Sequence, residues 1–181
     1  MKVFGIAGHS GMGKTTILEK LIPEFSRRYL TVSLIKHSHK NIDIDKPGKD
    51  SYRLRESGCK EVLLLGNDRW ALMHELRGDL EPDLKYLLSR LQQCDLVLIE
   101  GFKQGGFPKL EVWRDIQNKN TLWPKLLDIT AIASDRNIPL VEIPQFLLED
   151  IEGIANFILA NAMLFNKSTD PVLAQGDLNF D

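Results

Sequence analysis

Residues 3–21 read VFGIAGHSGMGKTTILEKL, and this stretch decides the fold. An apolar run is followed by three closely spaced glycines and then by apolar residues at helical spacing. We therefore expect a buried strand over residues 2–7, a tight loop, and an amphipathic helix over residues 15–29. Residues 8–15 match G-x-x-x-x-G-K-[ST] between a strand and a helix, which is the context in which this pattern binds phosphates.

The chemistry of this loop depends on its backbone and on two side chains. Glycines let several N–H groups point at phosphate oxygens, and the start of the following helix adds a positive dipole end. Lys14 is expected to neutralise the β- and γ-phosphates, and Thr15 to place a hydroxyl on Mg²⁺. The predicted nucleotide-binding residues of the loop are Gly8, Gly11, Met12, Gly13, Lys14, Thr15 and Thr16.

The rest of the chain alternates short apolar runs with helical patterns, which predicts an α/β fold of the P-loop NTPase type, a mostly parallel twisted sheet flanked by helices. Further strands are predicted over residues 31–36, 61–65, 69–74, 95–99, 110–113, 129–133 and 140–142. Further helices are predicted over residues 50–57, 81–93 and 147–163. Turn residues between 61–65 and 69–74 favour a hairpin. Residues 1–163 are expected to form one P-loop nucleotide-binding domain, and residues 164–181 a flexible tail.

The composition narrows the class of protein. The 181 residues are 43% hydrophobic and 27% charged with a formal net charge of −2, which is ordinary for a soluble globular protein and gives no sign of nucleic-acid binding. The N-terminal apolar segment 3–7 is shorter than a signal-peptide core, and no apolar run approaches the roughly 20 residues that a membrane span needs, so a cytoplasmic protein is expected. Cys59 and Cys94 lack zinc-site spacing, so reduced thiols are expected.

A second acidic group is expected near the loop, because P-loop enzymes use an acid at the end of a neighbouring strand to organise Mg²⁺. The segment DLVLIEG offers Glu100 at the carboxyl end of a strand, whereas Asp95 begins the same strand and is expected to be structural. Glu100 is thus the predicted metal ligand with Thr15 and the predicted catalytic partner of Lys14. Lys103 follows in a glycine-containing loop, where phosphate contact and simple solvation are both open.

Two charged segments offer a substrate or partner surface. Lys36, His37 and His39 follow a strand directly, so they are expected at the same sheet edge as the loop. A polar contact with substrate is the main interpretation for the histidines, and Zn²⁺ ligation the alternative. Further along, Lys49, Asp50 and Arg53 stand near a Pro-Gly turn at the start of a short helix, with a solvated charged face as the alternative.

These segments together resemble the molybdopterin-guanine dinucleotide biosynthesis protein B family. The resemblance is carried by GIAGHSGMGKTT, IKHSHK, DIDKPGKDSYRLRESG and DLVLIEGFK followed by PKLEV, and spans residues 2 to about 162. It implies a P-loop domain that binds GTP with Mg²⁺, hydrolyses it weakly, and assists a molybdopterin guanylyltransferase as an adaptor, often as a homodimer. Direct contact with molybdopterin is left open. Met12 stands where the family often has Ser, and Lys40 where a further His is common.

Base selection is not explained by the usual Asn-Lys-x-Asp element, which is missing from the sequence. Asp135 in TAIASDRN is the predicted substitute, because its carboxylate can accept hydrogen bonds from the N1–H and amine of guanine. A turn aspartate is the alternative. Two other functions remain open at this stage: a small-metabolite kinase with Arg53, Arg55, Arg69 and Arg77 as its candidate arginines, and an interaction module whose P-loop is inert.

Overall fold

A computed structural model of the chain describes residues 1–38, 42, 44–102, 105–116 and 119–166. Two compact units make up this part of the chain: residues 1–37 with residues 87 onward, and residues 38–86. In the residues described, no helix combines the length and the apolar character that crossing a bilayer requires.

Four helices and nine strands are found in the described residues. The helices are α1 (Lys14–Arg27), α2 (Asp50–Glu56), α3 (Leu84–Arg90) and α4 (Ile151–Asn161). The strands are β1 (Lys2–Ala7), β2 (Val32–Lys36), β3 (Glu61–Leu65), β4 (Trp70–His74), β5 (Leu96–Glu100), β6 (Lys109–Trp113), β7 (Ile129–Ser134), β8 (Gln145–Leu147) and β9 (Met163–Leu164).

The first unit is built on one sheet with strand order β2-β5-β1-β6-β7-β8. These neighbours are all parallel, and only the short β9 runs antiparallel beside β1. Strands β5 and β6 are buried along their whole length, as a sheet covered on both faces requires. Helices α1 and α4 pack against each other and cover one face, where Phe4, Leu21, Phe25 and Ile158 are fully buried. The predicted α/β fold is confirmed.

The second unit contains α2 and the antiparallel hairpin β3–β4, with α2 beside β3. Val62 and Met73 face each other across the hairpin and are buried. The adjacent residues Leu63 and Leu72 are opposed on the other face and are exposed. The alternation follows from the two-residue period of strands, and the predicted hairpin is confirmed.

Two sequence-based assignments near the C-terminus are wrong. Residues 140–142 do not form a strand: Leu140 is 96% exposed at φ 63°, a turn conformation, and the strand that pairs with β7 is Gln145–Leu147. The last helix begins at Ile151 rather than near 147, because the Asp150 side chain accepts a hydrogen bond from Gly153 N (3.0 Å) and caps it. The apolar residues around 140–147 fit a strand pattern in either segment, and pairing with β7 selected the later one.

The domain boundary after 163 stays a prediction, because residues 167–181 are outside the described residues.

Candidate nucleotide-binding site

Parallel pairing brings the carboxyl ends of β2, β5, β1 and β6 to one edge of the sheet. Lys36, Glu100 and Arg114 lie at or just after three of these strand ends, and the glycine loop follows β1. Ligands of open α/β sheets bind at this edge, because loops and helix N-termini converge there. The structure thus places several residues from distant parts of the sequence in one site.

The loop itself has the geometry of an anion cradle. Gly13 is the N-cap of α1 in the left-handed conformation (φ 95°), and no side chain caps this helix start. Backbone N–H groups of the first helical turn have no partner within the helix, and they lie at its positive end. Gly8 is equally constrained: a Cβ there would lie 2.4 Å from the Val112 carbonyl oxygen, so the loop can approach β6 only with glycine at this position.

Two side chains hold the loop in place, Lys14 by hydrogen bonds and Met12 by burial in the core. The Lys14 ammonium group donates hydrogen bonds of 2.9 Å to the carbonyl oxygens of Gly8 and of His9. The Met12 side chain is fully buried in the core, so contact with a nucleotide is left to its backbone. Lys14 is thus positioned inside the loop, where a bound phosphate would compete with these carbonyls for its protons.

Glu100, Thr15 and Lys36 form a small charged cluster beside the loop. Glu100 ends β5 and is buried, and Lys36 is its register partner on β2. The Lys36 ammonium lies 3.1 Å from Glu100 Oε2 and 3.5 Å from Thr15 Oγ1. Glu100 Oε2 is shielded from solvent and accepts no hydrogen bond from the described residues. A buried carboxylate oxygen that accepts no hydrogen bond needs a cation close to it, because burying a charge without compensation is costly.

The donor set fits Mg²⁺. A hydroxyl and a carboxylate are hard oxygen ligands, and Mg²⁺ in nucleotide sites is held by one or two carboxylates together with phosphates. The incompletely satisfied Oε2 of Glu100 is the atom best placed to ligate it. Within the described ranges, no three His, Cys, Asp or Glu side chains come together in a way that could hold a metal ion.

The predicted histidine loop is described only in part. The His37 backbone N–H donates to the Glu100 carbonyl oxygen (2.8 Å), and its ring lies against Phe102 with 4.7 Å between centroids. These contacts tie the end of β2 to the residues that follow β5. His39 and Lys103 fall outside the described residues, so their predicted roles stay predictions.

The remaining predicted site residues are distributed over both units. Asp135 directly follows β7 and is exposed at the same sheet edge, two strands from β1. Lys49, Asp50 and Arg53 belong to the second unit, where all are exposed at the start of α2, and Arg53 lies 3.8 Å from Asp50. The predicted partner residues are therefore accessible side chains, and Asp135 lies at the same sheet edge as the glycine loop.

Sequence reasoning missed Arg114 and the segment that follows it. Arg114 Nε donates to the Met12 carbonyl oxygen (3.2 Å), and its guanidinium group lies beside Gly13. Asn120 offers its carbonyl oxygen to the His9 ring at 3.1 Å, so the same segment also contacts the other side of the loop. The sequence contained a signal for Arg114, because this residue directly follows the predicted strand 110–113. The rule about strand ends that pointed to Glu100 applies to it as well.

A buried carboxylate organises that segment. Glu111 on β6 accepts hydrogen bonds from Leu122 N (2.6 Å) and Trp123 N (3.0 Å). Burial raises the pKa of the Glu111 carboxyl, and the two backbone donors oppose this effect. Trp113 Nε1 adds a bond to the Lys119 carbonyl oxygen (2.9 Å). The wall of the site on the β6 side is thus fixed by side chains of β6 itself.

Comparison with known proteins places this geometry in a family. Residues 3–135 match the sequence model of molybdopterin guanine dinucleotide synthesis protein B, MobB. The chain is 45% identical to the molybdopterin-guanine dinucleotide biosynthesis adapter protein of Haemophilus influenzae over 160 residues, 86% of each chain. It is 40% identical to the adapter protein of the same description from Escherichia coli, over 87% of this chain and 91% of the relative.

A solved structure agrees with these sequence matches. The crystal structure of a molybdopterin-guanine biosynthesis protein B superposes with a TM-score of 0.67 at 25% identity, and the match covers 87% of this chain and 98% of that one. The matched residues 3–135 span the glycine loop and Glu100 of this chain. The chain therefore belongs to the molybdopterin guanine dinucleotide synthesis protein B family.

Proposed function

We propose that this protein binds GTP with Mg²⁺, hydrolyses it slowly, and acts in the cytoplasm as an adaptor for the enzyme that converts molybdopterin to its guanine dinucleotide. The observation that carries the proposal is the cluster of Lys14, Thr15 and Glu100 at the start of α1, where no side chain caps the helix. This is the arrangement that a Mg²⁺-bound triphosphate needs, in a chain closely similar to adapter proteins of this biosynthesis.

Each residue has a distinct part in binding. The loop N–H groups and the helix dipole hold the phosphate oxygens, and Lys14 exchanges its two loop carbonyls for the β- and γ-phosphates. Thr15 and Glu100 would hold Mg²⁺, which supplies charge neutralisation on the phosphates when bound. Buried Glu100 keeps its orientation because its backbone belongs to β5 between two paired strands.

Guanine selection is assigned to Asp135. It lies two strands from β1, about 10 Å across the sheet, so only the base end of a nucleotide bound at the loop can reach it. Its carboxylate offers acceptors to the N1–H and amine of guanine, which adenine does not match. Asp135→Asn should therefore reduce the preference for GTP over ATP.

The adaptor role rests on the second unit. Lys49 and Arg53 are exposed basic residues that the first unit does not need for its core, and relatives are named as adapter proteins. We assign them to docking on the guanylyltransferase.

A homodimer is also part of the proposal. One face of the β3–β4 hairpin presents four exposed apolar side chains, Leu63, Leu65, Trp70 and Leu72. Leu65 is the most exposed of them, at 80%. Contiguous apolar surface of this kind typically marks an interface. Sedimentation of Leu65→Glu beside the unchanged protein tests whether this face holds two copies together.

The kinase alternative is less well supported. Kinases of this type need mobile arginines over the phosphates. Arg55 instead binds Glu75 (3.1 Å) and lies 3.9 Å from Asp45, and Arg77 donates to the carbonyl oxygens of Arg55 and Cys59, all within the second unit. Two of the candidate arginines are therefore engaged in holding that unit together.

A binding titration tests the nucleotide assignment. Fluorescent GTP and ATP analogues are titrated with Mg²⁺ and with EDTA, and we expect tighter binding of GTP and a gain from Mg²⁺. Binding of neither nucleotide, or equal binding of both, would contradict the assignment to GTP. Thr15→Val should lose the Mg²⁺ gain and keep the fold, because only the hydroxyl is removed.

A reconstituted assay tests the adaptor role. Adding this protein with GTP and Mg²⁺ to the guanylyltransferase should increase dinucleotide cofactor formation at fixed salt. Lys49→Glu or Arg53→Glu should reduce this stimulation more than GTP binding, whereas Lys85→Glu, an exposed lysine with the same charge change, should affect neither. Parallel losses of stimulation and binding, or no loss at all, would refute docking through these residues.

A further inference from the structure

Lys36 stands where the proposed metal ligands converge. Its ammonium nitrogen is 3.1 Å from Glu100 Oε2 and 3.5 Å from Thr15 Oγ1. The position is imposed by the fold, because Lys36 and Glu100 are register partners on adjacent parallel strands and both side chains project at the strand ends. Lys36 is half exposed and Glu100 is buried, so the ion pair lies at the boundary between the core and solvent.

Mg²⁺ and the Lys36 ammonium group cannot both lie against Glu100 Oε2. Mg²⁺ held by Glu100 Oε2 and Thr15 Oγ1 would lie about 2.0–2.1 Å from each atom. The Lys36 ammonium nitrogen lies 3.1 and 3.5 Å from these same two atoms, so it stands beside the position that the metal would take. Their like charges would also repel at this separation in a region of reduced dielectric. The same Glu100 oxygen can therefore pair with Lys36 or ligate Mg²⁺, and one arrangement excludes the other.

We propose that Lys36 is an internal cation that competes with Mg²⁺ for Glu100, so that metal binding must displace its side chain. This inference rests on the proposed function, since it concerns the metal that accompanies the nucleotide. The displaced ammonium has a path, because it is already 51% exposed on a flexible four-carbon stem. While Lys36 is paired, its positive charge compensates the buried carboxylate of Glu100, although Oε2 accepts no hydrogen bond from the described residues.

Competition of this kind raises the Mg²⁺ concentration that the protein needs. Removing the competing charge should increase the apparent affinity for Mg²⁺ by roughly tenfold, the factor expected of an ion pair with one buried partner. Metal-free nucleotide should bind more weakly to the same variant, because Glu100 then stands near the phosphates without a neutralising partner. Opposite shifts of these two quantities are the signature of the mechanism.

The experiment compares Lys36→Met with Lys36→Arg and with Lys2→Met. Lys2 lies on β1 at the opposite end of the sheet, where its ammonium donates to the Leu159 carbonyl oxygen, so it controls for loss of one lysine charge. Binding of a fluorescent non-hydrolysable GTP analogue is measured across a Mg²⁺ series that starts from EDTA. We expect a roughly tenfold lower half-effective Mg²⁺ concentration in Lys36→Met only, with Lys36→Arg close to the unchanged protein.

Two results would overturn the proposal. An unchanged or higher Mg²⁺ requirement in Lys36→Met would show that Lys36 does not compete with the metal. Equal losses of nucleotide affinity with and without Mg²⁺ would show that Lys36 instead contacts phosphate.

A nucleotide-independent measurement separates this proposal from the proposed function. A double-mutant cycle of Lys36→Met and Glu100→Gln, measured by urea unfolding in EDTA, reports the ion pair directly. We expect a clear coupling free energy between the two substitutions. Additive effects on the free energy of unfolding would overturn the proposal that Lys36 is the internal cation of Glu100. If the unchanged protein binds no nucleotide, the proposed function fails, while the cycle still decides whether Lys36 neutralises Glu100.

Discussion

Gly8→Ala is the sharpest test of how the loop is held against the sheet. Gly8 has φ 136°, a conformation that L-residues rarely adopt, and a Cβ built there lies 2.4 Å from the Val112 carbonyl oxygen. The contact is with the backbone of β6, so no side-chain rotation can relieve it. Either the loop moves away from β6, or β6 shifts within a sheet that is paired on both sides.

The expected cost follows from these two terms. Backbone strain at such a φ is about 1–3 kcal/mol. Relief of the clash adds about 1–2 kcal/mol, the lower range seen when tightly packed sites are overfilled. We expect Gly8→Ala to lower the free energy of unfolding by about 3 kcal/mol in total. Gly106→Ala is the matched control, since it also has positive φ (62°) but meets nothing within 4 Å, and should cost about 1 kcal/mol.

Urea unfolding followed by far-ultraviolet circular dichroism measures both variants, and GTP-analogue binding is measured on the folded proteins. The loss for Gly8→Ala should exceed that for Gly106→Ala by about 2 kcal/mol, with weaker nucleotide binding for Gly8→Ala alone. Equal destabilisation of the two variants would refute the argument that close approach to β6, rather than φ alone, requires glycine at position 8.

Three further outcomes follow from the site and its supports. Lys14→Ala should weaken GTP-analogue binding roughly 10- to 100-fold, the value of one charge-assisted contact, with an unchanged circular dichroism spectrum; unchanged affinity would remove the loop from the nucleotide assignment. Glu111→Gln should destabilise by about 1–3 kcal/mol in urea, because an amide can accept only one of the two backbone N–H bonds and sets its own NH₂ against the other; a neutral effect would show that the bonds are dispensable. Asp95→Asn removes a carboxylate whose pKa lies below its ordinary value, because the Thr31 hydroxyl and N–H donate hydrogen bonds to it. A carboxyl with a lowered folded-state pKa stabilises the fold above its unfolded pKa of about 4, so the unchanged protein should have the higher free energy of unfolding at neutral pH, and this difference should shrink as pH falls below about 4. A difference that does not depend on pH would contradict this.

The local part of the site could be predicted from sequence, because its determinants are adjacent in the chain. The glycine loop requires only the strand before it, the helix after it and the residues between, and the structure has β1 and α1 within about two residues of the expected bounds. The position of Glu100 at the sheet edge beside the loop follows from a rule about strand ends, which needs only the assignment of β5. The hairpin β3–β4 was found in the same way, from turn residues between two apolar runs.

Tertiary structure decided the relations between segments that are distant in sequence. Parallel pairing in register places Lys36 against Glu100, and nothing local to either residue predicts that contact. The approach of Val112 to Gly8 and of Arg114 to Met12 likewise depends on β6 lying beside β1. Strand β8 was misplaced because residues 140–142 and 145–147 have similar β propensity, and only pairing with β7 separates them. Local pattern determined which residues could bind phosphate; the order and register of the strands determined which cation stands beside the carboxylate.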